Sequence, residues 1–553
     1  MEMLTERKKL LLRWSELKQE RASWVPHWQE ISDFLLPRSG RFFVQDRNRG
    51  ERRHNKINDS TGTRALRILA AGMMSNMTSP ARPWFRLSTS NPDLDESDAV
   101  KRWLADVQQA MNLVFNKSNT YRALHSMYEE LGTFGTAAAL VMPDFKNIVH
   151  LHSMTCGEYA IGVNHMGQVD TLYREFDMTV GQMVQEFGID AVSTSVRDQF
   201  NRGSLDKWVT VMHAIEPREL RDPTKKDAKN MAFKSVYFEP GDKTDKFLRE
   251  SGFKRFPALC PRWAVSGGDI YGNSPGMEVL GDVKQLQHEQ IRKAQGIDVQ
   301  TKPPLQAPPS LKGREIDGLP GGVTYVEQTT GGIKTMFESR LDLSHLLADI
   351  QDVRNRINGG FFADMFLMMA NDTRSGVTAT EVAERHEEKM LMLGPVVERL
   401  HNEILSPLID ITFDRMVETG VLPPPPDEIA GMELTVEFVS VLAQAQRAVA
   451  TGSVDRYLSS MGAVAQFKPE VLDKFDADKW ADEYADMLGI NPTILVPSDR
   501  VEQIRAARAQ QQQAAQQAAQ IEQMAGAAQK LGTVQTPTGN AAADVMAGLT
   551  GYT

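Results

Sequence analysis

The sequence offers one pattern that could do covalent chemistry. Gly272-Asn273-Ser274-Pro275-Gly276 matches the G-x-S-x-G signature, which presents a nucleophilic serine on a sharp strand-to-helix turn. Such a serine needs an oxyanion hole, built in part from the backbone N–H of the residue that follows it. Here that residue is Pro275, which has no N–H. The same Ser-Pro pair is fully explained as a helix start, with serine as the N-cap and proline at the first helical position. A serine hydrolase-like enzyme using Ser274 is therefore the alternative reading, not the main one. The chain has no G-x-x-x-x-G-K-[ST] phosphate loop, no G-x-G-x-x-G after a strand and no H-E-x-x-H. His288-Glu289 and His386-Glu387 lack a second histidine one turn on and read as polar helix faces. Cys156 and Cys260 are too few and too isolated for a metal knuckle or disulfide framework, and read as small buried hydrophobes. No metal or cofactor is expected, and no enzymatic activity.

Charge suggests binding instead. The 553 residues carry a net charge of −10, with 41% hydrophobic and 24% charged side chains. That balance excludes a disordered, collagen-like or disulfide-stapled chain, and the length suggests three or four domains. Residues 38–67 hold nine basic side chains, among them Arg47, Arg49, Arg52 and Arg53, against three acidic ones. This basic arm could contact phosphate backbones without reading sequence, but reads first as a solvated surface arm or one that pairs with a neighbouring acidic chain. Residues 470–486 reverse the balance, with seven acids against two bases. No apolar run approaches the roughly 18–20 residues that span a bilayer, so no membrane contact is expected. The N-terminus lacks the features of a signal peptide, which predicts a cytoplasmic chain.

Several elements must position these groups. Leu10, Trp14, Leu17, Trp24, Trp28, Ile31 and Leu35 recur at three- and four-residue steps, with Arg21 breaking the register and Pro26 kinking the helix. Further helices are predicted at 60–77 and 97–116. From 136 to 265 the period shifts towards two, giving strands near 136–142, 148–152, 171–176, 208–215 and 233–239. A helix from Ser274 to Thr301 carries Leu280, Val283, Leu286, Ile291, Ala294 and Ile297 as its stripe, and another spans 343–358. Between them lies a segment with five prolines in 302–322 and short strand-like pieces at 323–328 and 333–337. The spacing predicts an antiparallel helix pair projecting a compact β insertion.

The methionines Met365, Met368 and Met369 fill a core or belong to a mobile loop facing a partner, the loop character being favoured by Asn371, Asp372, Ser375 and Gly376. Thr378 and Glu381 form a capping box for a long helix to 418, bent at Gly394-Pro395 and Pro407. A strand at 434–440 and small helices to 489 follow. Ten alanines and ten glutamines occupy 501–530, which predicts either a helix stabilised by copies of itself or a disordered extension, and the last 20 residues read as disordered. A self-assembling coiled-coil scaffold built on this tail is a further alternative.

Four blocks are more specific than any of these motifs. DSTGTRALRILAAGMMSNMTSPARPWFRL (59–87), YGNSPGMEVLGDVKQL (271–286), PGGVTYVE (320–327) and FFADMFLMMANDTRSGVTATEVAERHEEKMLMLGPVVERL (361–400) resemble the head-to-tail connector, or portal, proteins of short-tailed bacteriophages, in similar order across residues 1–500. The resemblance implies an α+β, mainly α portal fold and a ring, typically of twelve subunits, at one capsid vertex. It divides the chain into wing (1–270), stem helices (271–300 and 343–362), clip (301–342), a tunnel-loop, kinked-helix and wing-strand region (363–439), crown (440–500) and tail (501–553). It further implies double-stranded DNA passing through the channel without sequence reading, docking of the terminase large subunit and then of tail adaptor or nozzle proteins, and contact with major capsid and scaffolding proteins. The protein would reside in the virion, and in host cytoplasm during assembly. The channel-lining candidates are Lys284, Arg292, Lys293, Met365, Met368, Met369, Asn371 and Arg374, the three cations being equally placed as inter-subunit salt-bridge partners. The surplus of acids outside residues 38–67 is expected to repel DNA from the lining.

Overall fold

The computed structural model describes residues 5–42, 53–89, 97–301, 343–371, 393–429, 434–438, 456–488 and 498–532, apart from 226 and 243, with a few single or paired positions elsewhere. It is mainly helical with several small sheets. The chain divides into two compact units. One holds Met1–Leu87, Val107–Pro424 and Thr435–Val449, and the other Ser88–Asp106, Pro425–Leu434 and Ala450–Thr553.

In the first unit, the opening helical stripe becomes two helices, α1 (Glu6–Arg21) and α2 (Val25–Leu35). Leu10, Trp14 and Leu17 are buried from α1, and Trp28, Ile31 and Leu35 from α2. Arg21 does not break the face. It is buried, and its guanidinium donates to the carbonyls of Gly157 (3.0 Å) and Tyr159. Proline starts α2 rather than kinking one long helix, because its missing N–H costs nothing in a first turn. Helices α3 (Thr61–Met77), α4 (Asp98–Lys117, of which the part from Val107 onward belongs to this unit) and α5 (Thr120–Phe134) follow.

The β region forms two antiparallel sheets. Strands β1 (Ala138–Asp144), β2 (Ile148–Met154) and a short β7 (Ala258–Leu259) make one, with β1 central. The other is a five-stranded meander of β3 (Tyr159–Val163), β4 (Val169–Thr179), β5 (Trp208–Pro217), β6 (Phe233–Phe238) and then Arg249–Phe253 at its edge. Alternation sends Tyr173, Met212, Ala214, Val236 and Phe238 onto Leu10, Trp14 and Leu17 of α1. The opposite face is covered in two patches. Leu172 and Ile215 join Trp28, Phe134 and Tyr271, whereas Val211 and Tyr237 pack under the short helices α6 (Val180–Phe187) and α7 (Thr194–Asn201).

The later helices are a single turn, Pro275–Glu278, then α8 (Leu280–Thr301), α9 (Ser344–Gly360) and α10 (Ala363–Asn371). Next come α11 (Gly394–Leu400), a π-helical turn over His401–Leu405, and α12 (Ser406–Glu418). Both prolines open helical segments, at Pro395 and Pro407, and the π turn lies just before the second. The wider turn suits a site where Pro407 cannot donate and its ring crowds the preceding turn. Glu403 in that turn accepts from the Arg262 side chain at 2.6 and 3.2 Å and from its backbone N–H at 2.7 Å. The first part of the expected long helix, with its Thr378–Glu381 cap, lies outside the described residues. So does most of the proline-rich insertion.

In the second unit, α13 (Ala477–Leu488) carries the stacked pair Trp480–Tyr484, and α14 (Ser498–Gly532) makes the Ala/Gln segment one helix. From Glu502 to Gln523 its residues are exposed. Arg505 makes a bidentate pair with Asp478 at 2.5 and 2.6 Å. The last 20 residues lie mostly outside the described ones.

Candidate functional site

The expected helix pair is present and antiparallel. Gly360 lies against Val279, Arg356 reaches Asp282 at 3.5 Å, and Gly296 faces Leu343. At 22 residues and about 1.5 Å per residue, α8 is roughly 33 Å long. Its near end is fixed in the first unit by two polar joints.

The first joint is Ser274. Its hydroxyl is fully buried, donates to the Thr133 carbonyl at 2.7 Å and accepts from the Met277 N–H at 3.0 Å. Both bonds are structural, and neither a base nor an open face adjoins the oxygen among the described residues. Ser274 thus caps a helix and is not placed as a nucleophile. The chain packs so tightly here that Gly135, at φ 73°, lies against the Gly272 carbonyl where a Cβ would stand 2.1 Å from that oxygen. No other residue type fits there.

The second joint is Asp59, immediately before α3. One carboxylate oxygen accepts from Arg354 of α9 (2.7 Å) and Gln290 of α8 (2.9 Å). The other accepts from the N–H and hydroxyl of Thr61 at 2.9 and 2.5 Å. Gln287, buried on α8, completes the joint by accepting from the N–H groups of Asn58 and Asp59 and donating to the Asp59 carbonyl. Burial pushes the Asp59 carboxyl up, but the bonds from Thr61 and Arg354 outweigh it and hold the group below its usual range. Sequence reasoning missed this joint. The signal was Gln287 sitting one turn beyond Val283 on the inward stripe.

The two halves of α8 differ. Leu280, Val283 and Leu286 are buried, whereas Ile291 and Ile297 are 42% and 41% exposed, as is Leu347 (46%) near the start of α9. The cations differ likewise. Lys284 pairs with Glu30 of its own chain at 2.6 Å. Arg292 is exposed and Lys293 half-buried, and neither has a hydrogen-bond or ion-pair partner among the described residues. Acids and bases balance on both helices, three against three on α8 and two against two on α9. The acidic surplus therefore lies elsewhere than on the pair.

Few of the other expected residues are described. Met365 is buried in helix α10, in keeping with the core-filling reading. The adjacent Phe366 sits on Gly72 of α3, where a Cβ would collide with its ring. Met368, Met369 and Asn371 belong to the same helix, but their side chains lie outside the description, as do all of Arg374, Arg47, Arg49 and Arg52. Arg53 is half-buried. Cys156 and Cys260 are buried and unpaired, as expected. No metal-binding cluster of His, Cys, Asp and Glu occurs among the described residues, and no described helix is long and apolar enough to cross a membrane.

Comparison with known proteins adds a family. The family described as bacteriophage head to tail connecting protein matches residues 7–495. The "Probable portal protein" of Bordetella phage BPP-1 is 66% identical over 551 residues, covering 99% of each chain. The "Portal protein" of Salmonella phage epsilon15 is 49% identical over 535 residues, covering 96% of each. Among solved structures, a chain from the "Neck of empty GTA particle computed with C6 symmetry" aligns over 82% of this chain and 96% of its own, at 11% identity and a TM-score of 0.37.

Proposed function

The chain belongs to the bacteriophage head to tail connecting protein family, and from that premise we propose that it forms a ring of identical subunits through which double-stranded DNA enters and leaves the capsid. The family match across residues 7–495, with two relatives named portal proteins over nearly their whole length, carries this reading. The role is structural, and no catalytic residue is assigned. In the proposed arrangement residues 1–270 and 363–439 are the wing, 271–300 and 343–362 the stem, 301–342 the clip, 440–500 the crown and 501–553 the tail. The clip docks the terminase large subunit and later the tail adaptor or nozzle proteins, and the outer body meets capsid and scaffolding proteins. The count of twelve comes from the resemblance alone.

The geometry supports a stem. A head-to-tail interface whose rotation closes makes a ring with an axial hole. Each subunit then contributes a helix pair whose root is secured by its own body and whose far half keeps apolar side chains for neighbours. DNA must slide, so the lining has to hold phosphates weakly, since each tight phosphate contact adds salt-sensitive affinity. A charge-balanced pair bearing only Arg292 and Lys293 as unpaired cations fits that need. Reversing both charges should lower the fraction of particles that retain a full genome while leaving ring assembly intact. Normal retention in the double variant Arg292→Glu/Lys293→Glu would remove these residues from the channel.

A further inference from the structure

The five-stranded sheet carries a polar seam between the two apolar patches on one of its faces. Leu172 and Ile215 lie on one side of the seam, Val211 on the other, and Arg174 and His213 occupy the rungs between them as directly paired residues of β4 and β5. Arg174 is 6% exposed and His213 fully buried. The Arg174 Nε donates to His213 Nδ1 at 3.2 Å, so the imidazole proton sits on Nε2, 2.8 Å from the Ser235 hydroxyl. The ring stacks on Tyr237 with centroids 3.7 Å apart. Burial, then the charges of Arg174, Arg249 and His152, hold His213 well below the usual imidazole range, so it is neutral.

Among the described residues Arg174 has no counter-ion. Its terminal nitrogens have no hydrogen-bond or ion-pair partner among the described residues, and neither is sealed from solvent. The guanidinium lies over Phe176 at 4.3 Å. The acids near it in sequence are turned to other tasks. Glu175 points to the other face and pairs with Lys18 (4.0 Å), and Asp177 accepts from Thr210. Glu186 pairs with Arg249. An arginine more than nine-tenths buried with no anion is costly unless one is supplied from outside. Its two free NH2 groups form the planar fork that matches an oxyanion.

We propose that the Arg174 seam is an oxyanion-binding site that takes one carboxylate or phosphate group in the guanidinium fork. So little of Arg174 is exposed that the occupant must be a small free ion or the tip of a slender side chain. A duplex backbone is too bulky to enter. The proposal does not depend on the ring reading, because it rests on one chain's own sheet.

Thermal unfolding of the intact protein in sodium chloride, acetate or phosphate at equal ionic strength tests for a free ion. Saturable binding at ten times the dissociation constant should raise the midpoint by about 1–3 °C over chloride, and Arg174→Met should abolish the rise. A rise that persists in Arg174→Met would overturn the assignment. If neither anion raises the midpoint, the occupant is already a protein carboxylate. Arg174→Lys in the assembled protein, treated with a carbodiimide, should then join position 174 to an aspartate or glutamate identified by peptide mass. Mixing isotopically light and heavy chains tells a second copy from another protein. No anion effect together with no cross-link in a folded Arg174→Lys protein would refute the site, even if Arg174→Met fails to fold.

Discussion

The root and the far half of the helix pair are built from the same elements but solved differently. At the root, Leu280, Val283 and Leu286 are covered by the chain's own core, Asp59 and Gln287 satisfy both helices, and Lys284 has Glu30. Beyond Gln290, Ile291 and Ile297 are exposed and Arg292 is unpartnered among the described residues. A single chain therefore contains all the energetics needed to hold the rod, but not those needed to finish its surface. The lesson is a division of labour: folding fixes the root, and in the proposed ring the neighbouring copies complete the remainder.

That comparison can be broken at several strengths. Asp59→Ala should have the largest effect on the chain, since it leaves Gln290, Thr61 and Arg354 without their shared acceptor. We expect a loss of about 3 kcal/mol in urea unfolding, discounted because Arg354 is partly exposed. A loss below about 1 kcal/mol would mean that the root is held by packing alone.

Glu130 of α5 supplies the next test. It accepts from the Thr155 hydroxyl (2.7 Å) and the Cys156 N–H (3.1 Å), and burial pushes its carboxyl up to about 7. A folded value above the unfolded one means the native state holds the proton more tightly. Its contribution is thus fully present below about pH 4.5 and is lost as pH rises through about 7. Comparing Glu130→Gln with the parent over pH 4.5–8 should show the parent losing on the order of 2 kcal/mol relative to the variant. A parallel pH dependence in the two would contradict this.

Smaller effects follow. Ser274→Ala removes the helix cap and a buried bond, and should cost about 1–2 kcal/mol in the same unfolding assay. Lys284→Met should cost well under 1 kcal/mol, because its pair with Glu30 is nearly half exposed. The double change Ile291→Asp/Ile297→Asp should move chain stability by no more than about 0.5 kcal/mol while reducing assembly, measured by solution mass. Lost stability there would place those side chains in the chain's own core.

Much of this fold was readable. The α1 and α2 stripe, the strands β4 to β6 and the helix pair all announced themselves by period. Helix α5 was legible too and left unread: Arg122, His125, Ser126 and Glu129 recur at three- and four-residue steps beside the buried Ala123, Leu124, Met127, Tyr128 and Leu131. The edge strand Arg249–Phe253 is invisible, having a single apolar residue. The Thr179–Gln182 capping box that opens α6 was a legible signal left unread. In the site, Ser274 was identified as a cap from Pro275 alone. Asp59 was not found, since its partners Gln290 and Arg354 lie more than 200 residues away and no local pattern encodes them. For Met365 the sequence left core and loop open, because methionine spacing does not distinguish them, and the side chain is buried in α10.

The central claim is that the far half of the pair is completed by other copies of the chain. Solution mass with negative-stain imaging of the purified protein tests it most directly. Closed rings with a central hole, near twelve times 61.7 kDa, are the predicted result. A single 61.7 kDa species at every concentration, with Ile291 and Ile297 still exposed, would contradict it.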